Sequence, residues 1–261
     1  MQIKVDITGL TELKAAMARA PGQVNYALAQ AMNKTMAQAK SDVQTNMTKV
    51  FDRPTPWVIN SLRIKYASKT KLSAELAFKD INSAVNARTM VAPHVDTGTR
   101  THKAMEARLR GIGMLPTGWF VVPGAGATLD AYGNMSRGQI SQLLNVLGAY
   151  TEAGYNKAND KTSKRLAKGN AKKNQFGFVY FVQRVSDKGH LLPGVYQRVK
   201  TGFGSSLKPI LIFVNGVSYK KRLDFYGIVQ ADIDRDLNAN FEVEFKKAID
   251  SALIKSQGSL L

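Results

Sequence analysis

A chain of 261 residues with 44% hydrophobic content is long enough to bury a core and too apolar for wholesale disorder. It has no cysteine, which excludes disulfides, thiolate nucleophiles and cysteine-ligated zinc. Its 37 Lys+Arg stand against 19 Asp+Glu, and the net charge of +18 favours polyanions or acidic protein surfaces as partners.

No apolar run reaches the roughly 18 residues of a membrane span. The opening MQIKVDITGL lacks the basic-then-apolar order of a secretory signal. Ile3, Val5 and Ile7 alternate with Lys4, Asp6 and Thr8, the period of a half-buried strand, and Gly9 turns the chain. Leu10, Leu13, Ala16 and Met17 are spaced for a helix ending near Pro21. A second helix follows, over Gln23–Phe51. Its apolar positions are Val24, Leu28, Ala31, Thr35, Ala39, Val43, Met47 and Val50, at steps of three and four for about eight turns. Gln23, Asn33, Lys34, Lys40 and Asp42 lie on the opposite face. The stripe is rich in small residues, which permit close approach of another backbone.

Asp52-Arg53-Pro54 stops this helix, because a residue before proline is pushed out of the α region. Thr55 is placed to cap a short turn over Pro56–Asn60, with Pro56 where its missing N–H costs nothing. Leu62, Ile64 and Tyr66, then Leu72, Ala74, Leu76 and Phe78, alternate as two strands, and Ser68–Lys71 is short enough to join them as a hairpin. Asn82–Thr99 reads as a loop, Arg100–Leu109 as a short basic helix and Trp119–Val122 as a short strand. Ser136 and Gln139 form a capping box for a helix lined by Ile140, Leu143, Leu144 and Leu147 to about Tyr150.

Thr151–Gln175 carries Lys157, Lys161, Lys164, Arg165, Lys168, Lys172 and Lys173 with little to bury, and reads as a mobile basic loop or arm. Phe176–Arg184, Gly194–Thr201 and Leu207–Asn215 are strand-like, and the apolar run Pro209–Val214 suits a central strand. The last helix, Leu223–Leu253, bears a stripe of Phe225, Val229, Ile233, Leu237, Phe241, Phe245, Ile249 and Leu253. Its exposed side turns from Asp232, Asp234 and Asp236 to Lys246 and Lys247, in the order that the helix dipole favours.

Little here points to catalysis. His94, Asp96 and His102 match no metal-binding spacing, PGAGATLDAYG lacks the Gly-Lys-Ser/Thr ending of a phosphate loop, and no serine sits in a Gly-x-Ser-x-Gly elbow. The expectation is a protein that is not an enzyme, with no catalytic residue, no metal and no cofactor. The lysines of the arm suit phosphate neutralisation, and the lack of aromatic residues among Lys157–Lys173 argues for contact without base stacking.

The opening DITGLTELKAAMARAPGQVNYALAQAMNKTMAQAKSDV resembles the phage minor tail protein Z and tail-completion families. Those proteins begin with a short strand, a Gly-Leu helix start and a long Ala-rich helix bearing Asn-Lys/Arg-Thr, here Asn33-Lys34-Thr35. FDRPTPWVINSLRIKYASK, GWFVVPGAGATLDAYGNMSRGQI and SYKKRLDFYGIV are similar to prophage members of that group, and residues 151–175 are the least similar part. The resemblance implies a virion structural protein of the neck or head–tail connector, assembled in the host cytoplasm. It implies a homo-oligomeric ring, a hexamer, at the head–tail junction or the top of the tail. The ring would touch portal, adaptor or tail proteins and the double-stranded genome, and no membrane.

The fold expectation is one α+β domain over residues 1–261, with the basic arm as an insertion. Two long helices, Gln23–Phe51 and Leu223–Leu253, pack on a mostly antiparallel mixed sheet built from both halves of the chain. The candidate contacts to DNA or an acidic partner are Arg100, Lys103, Arg108 and Arg110 together with Lys157, Lys161, Lys164, Arg165, Lys168, Lys172 and Lys173. A stand-alone nucleic-acid-binding protein that ignores base sequence is the alternative.

Overall fold

The structure, a computed structural model, describes residues 2–5, 21–79, 87–149, 160–170 and 176–258. The helix expected over Leu10–Met17 and the candidates Lys157, Lys172 and Lys173 lie outside these residues. The protein is α+β, and two long helices pack on an antiparallel sheet. Where the sequence reads as one domain, the chain divides into two compact units: Met1–Thr97 with Lys220–Leu261, and Gly98–Tyr219 inserted between them.

The first unit is built on α1 (Pro21–Val50) and α7 (Phe225–Gly258). Strands β1 (Gln2–Val5), β2 (Leu62–Lys65) and β3 (Ala74–Phe78) form a sheet in the order β1-β3-β2. Both pairings are antiparallel, with Ile3 and Ile64 flanking Leu76. The expected stripe is the buried one: Val24, Leu28, Ala31, Thr35, Ala39, Val43 and Met47 are all buried. The α7 stripe supplies Phe225 and Val229 to the same core, with Ile233, Leu237, Phe241 and Phe245 packed against it, while Ile249 is exposed. Phe78 meets Phe225 with ring centroids 5.5 Å apart, seating α7 on the sheet. Asp232, read as exposed, is buried, and the Arg235 guanidinium lies 2.7 Å from it and 3.6 Å from Asp42 on α1.

The Asn-Lys-Thr element is the fastening of this unit. Asn33 donates from Nδ2 to Ala67 O at 3.1 Å and accepts from Ala67 N at 2.7 Å, so one amide satisfies both backbone groups of a residue beyond β2. Thr35 Oγ1 accepts from Asn240 Nδ2 of α7 at 3.0 Å, and Lys34 lies 3.8 Å from Glu244.

The proline corner behaves as the sequence indicates. α1 ends at Val50, Arg53 takes a positive φ of 45°, and Thr55 Oγ1 accepts from Val58 N to cap α2 (Pro56–Ile59), which leads into β2. The expected loop over Asn82–Thr99 is corrected: Ala87–Val95 is a helix, α3, with Pro93 inside it, and residues 82–86 lie outside the described residues. Val91 and Val95, one turn apart, are both buried in the core, which outweighs the single hydrogen bond that Pro93 cannot make.

The second unit opens and closes on β4 (Gly98–Thr99) and β9 (Ser218–Tyr219), paired antiparallel. Its main sheet joins β5 (Trp119–Pro123), β6 (Phe178–Gln183), β7 (Gly194–Thr201) and β8 (Gly204–Asn215) in the antiparallel order β5-β8-β7-β6. The run Pro209–Val214 lies on β8, interior as expected. Helices α4 (Ala104–Gly111) and α5 (Arg137–Val146) bury Leu109, Leu143 and Leu144 with Val121, Val195, Leu211 and Phe213 of the sheet. Arg100 and Lys103 precede α4 and are not part of it. Ser136 Oγ accepts from Gln139 N, and α5 stops at Val146, short of Tyr150.

Within the expected mobile arm, Asp160–Lys168 is instead a helix, α6. Its apolar side is small, Leu166 and Ala167, yet it reaches the start of β6 because Gly177 lets it. A Cβ at that glycine would come 2.0 Å from the Ala167 carbonyl oxygen.

Replacing Asn33 with Ala leaves the Ala67 amide and carbonyl unpaired in a buried place, and is expected to destabilise the protein by about 1–3 kcal/mol. Asn33→Asp, which keeps the acceptor for Ala67 N–H, should lose less. Urea unfolding followed by circular dichroism measures both.

Candidate polyanion-binding surface

Charge is unevenly divided. Residues 98–219 hold 17 Lys+Arg and 5 Asp+Glu, a net +12 of the chain's +18. Four of these cations share one face of α6. Lys161, Lys164, Arg165 and Lys168 stand at i, i+3, i+4 and i+7, and all four are exposed, while Thr162, Leu166 and Ala167 on the other side are half-buried. Like charges at this spacing each cost the helix a few tenths of a kcal/mol, a cost that a bound polyanion removes.

α6 forms one wall of a cleft of about 840 Å³, set over the β6-β7-β8 face. Arg165 enters it from the helix and Lys208 from β8. Gln139 and Gln142 of α5, Gln197 of β7 and Tyr180 of β6 supply amides and a phenol, and Phe176 and Phe178 an apolar wall. Tyr180 donates its hydroxyl to Gln142 Oε1 at 3.1 Å, and burial pushes its pKa up, so it remains a neutral donor. Gln139 Oε1 accepts from Thr128 N at 2.7 Å, which fixes that amide. Two cations lining a cleft with side-chain amides suit an anionic group with its own hydrogen-bond acceptors.

The other expected cations divide. Lys103 is exposed, and Arg108 is half-buried. Arg100 is engaged inside the unit. Its guanidinium donates to both Glu106 oxygens, at 2.9 and 2.5 Å, and to Val121 O at 3.2 Å, and it lies over the Phe120 ring. Glu106 is fully buried and also accepts from the backbone N–H of Lys103 and of Val121. Burial alone would push the Glu106 carboxyl up; the Arg100 guanidinium and the two N–H groups outweigh it and hold the pKa below the usual carboxylate range. Arg110 donates to Trp119 O at 3.0 Å and also bonds His102 Nδ1. Arg100 and Arg110 thus fasten α4 to β5.

The sequence reading missed Lys208, Arg198 and Lys200. Each sits singly in a strand-like run, so no local cluster marks them, and only the pairing of β7 with β8 brings them to one end of the sheet. Among the described residues no group of three or more His, Asp or Glu could hold a metal ion, and no helix is long and apolar enough to cross a membrane. No family model matches the chain, and no curated protein or solved structure matches it either.

Glu106 carries a pH prediction. Because its folded pKa is depressed, its contribution is complete above the ordinary glutamate value of about 4.3 and is lost as the pH falls through that value to the lower folded one. Thermal unfolding from pH 7 down to pH 3 should show this loss, and Glu106→Gln should flatten it. Arg100→Met, which leaves the buried carboxylate unpaired, is expected to cost about 3–5 kcal/mol, and the double replacement R100M/E106L less than that.

Proposed function

We propose that the protein is a structural component of a phage virion, a tail-completion or neck protein. Six copies form a ring at the head–tail junction or the top of the tail. Its basic unit faces the genome or an acidic surface of the adjoining ring. It works through shape and charge, without turning over a substrate. The observation that carries this reading is the one-sided cationic helix Lys161–Lys168 within a unit of net +12. The tail-completion-like segments of the sequence supply the virion setting, and the long α1 helix that bears Asn33-Lys34-Thr35 is consistent with them.

The same stripe favours a second reading, a stand-alone nucleic-acid-binding protein, since four cations on one helix need no ring to meet a phosphate backbone. Oligomeric state separates the two. Native mass spectrometry, alone and with the neck and tail proteins of the same phage, is expected to show a closed homo-oligomer. A monomer under every condition overturns the ring.

Duplex-DNA binding, followed by fluorescence anisotropy from 50 to 300 mM salt, should be independent of base sequence and weaken with salt. Replacing Lys161, Lys164, Arg165 and Lys168 with Ser should reduce the slope of log K against log[salt] by about 0.9 for every phosphate that is no longer neutralised. A slope unchanged by these substitutions removes α6 from the DNA-binding surface.

A further inference from the structure

Strand β8 outruns its neighbour on one side. β5 pairs with Leu211–Asn215, and the turn after it reaches two residues further, where Gly124 N–H and Gly126 N–H bond Ile210 O and Pro209 O. From Gly204 to Lys208 the strand has β7 on one side and, among the described residues, no strand on the other.

The register identifies the backbone groups left there. Lys200 N–H donates to Gly177 O, so Lys200 turns its backbone toward β6 and away from Ser205, its partner on β8. In an antiparallel ladder such a pair directs the backbone of its other member outward as well. Ser205 and Leu207 therefore aim N–H and C=O away from the sheet. Pro209, next in the same phase, has its C=O taken by Gly126 and carries no N–H, which ends the free edge.

The edge stands in the open. Every residue from Lys200 to Lys208 is exposed, Leu207 by 43% and Phe203, at the hairpin tip, by 107%. Unpaired edges of this kind are templates for another strand, and lysines on them guard against self-pairing. From Gly194 to Asn215 the hairpin has three cations, Arg198, Lys200 and Lys208, and no carboxylate. Two copies of this edge repel each other, and an acidic strand is attracted.

We propose that Ser205–Leu207 is a docking edge for an extended acidic segment of another protein, which adds to β8 as a further strand. Side chains opposite Leu207 are apolar and rest against it and Phe203. Those on the other face are carboxylates directed to Lys208. The partner is thus a segment alternating apolar and acidic residues. The edge accepts such a strand whether or not the protein belongs to a virion.

The test uses the full chain and a fluorescein-labelled octapeptide alternating Val and Asp, with Lys in place of Asp as control. The Asp peptide should bind saturably and less tightly as salt rises, and the Lys peptide should not bind. Ser205→Pro removes one outward N–H that the β7–β8 ladder does not use, so it should leave the melting temperature in place and weaken the Asp peptide at least ten-fold. K208E, on the face that receives the carboxylates, should exchange the preference for the Lys peptide.

Amide hydrogen exchange gives a reading on the unaltered protein: Ser205 and Leu207 should exchange fast when free and slow when the Asp peptide is bound. Three results overturn the proposal. These are no binding of the Asp peptide, binding that survives Ser205→Pro because the peptide sits on α6 instead, and binding without protection at Ser205 and Leu207.

Discussion

Two side chains on α1, Asn33 and Thr35, hold the first unit in register. Asn33 satisfies both backbone groups of Ala67, and Thr35 accepts from Asn240, a residue 205 positions away. An apolar stripe can slide along its partner by a turn at little cost; a side-chain amide matched to one residue's N–H and C=O cannot. Ala31 and Ala39 of the same helix are fully buried, and residues so small permit close approach of a neighbouring backbone. Core packing supplies the stabilisation here, and the lock selects which packing forms.

The second unit solves a different problem, keeping a strongly cationic surface on a folded scaffold. Its buried polar centre, Glu106, is satisfied by one guanidinium and two backbone N–H groups. That arrangement takes Arg100 out of the exposed charge and ties α4 to β5. Among the exposed cations are those of α6 and of the ends of β7 and β8; Arg165 and Lys208 line a cleft whose fixed polar groups are neutral amides and a phenol. Structural and outward-facing arginines are told apart by their partners, and composition alone does not separate them.

Much of the architecture was readable from periodicity. The α1 stripe, the Thr55–Pro56 restart, the Ser136 cap and the apolar run in β8 are all signals contained within about ten residues, and each stands where the pattern places it. What escaped depended on distance. Pro93 masked α3, whose support is the burial of Val91 and Val95 in a core made elsewhere. The composition of residues 160–168 argues against order, and the helix exists through a glycine ten residues after Ala167 that leaves room for it. Asp232 looked like one more surface acid until Arg235 and Asp42 came together around it. Of the candidate site, the α6 cations were visible as a cluster, whereas Lys208 and the open edge of β8 belong to a strand pairing that no local pattern announces.

The insertion of residues 98–219 between the two parts of the first unit has a consequence for how the chain matures. During synthesis α1 leaves the ribosome with its buried stripe complete, yet α7 follows only after the whole second unit has been made. The second unit is contiguous and can fold as it emerges, so it forms while the first still waits for its closing helix. Because Gly98 pairs with Tyr219, the points of departure and return lie side by side. The inserted unit is therefore hung from two adjacent strand ends, the arrangement by which a module can be gained or lost without redrawing its host.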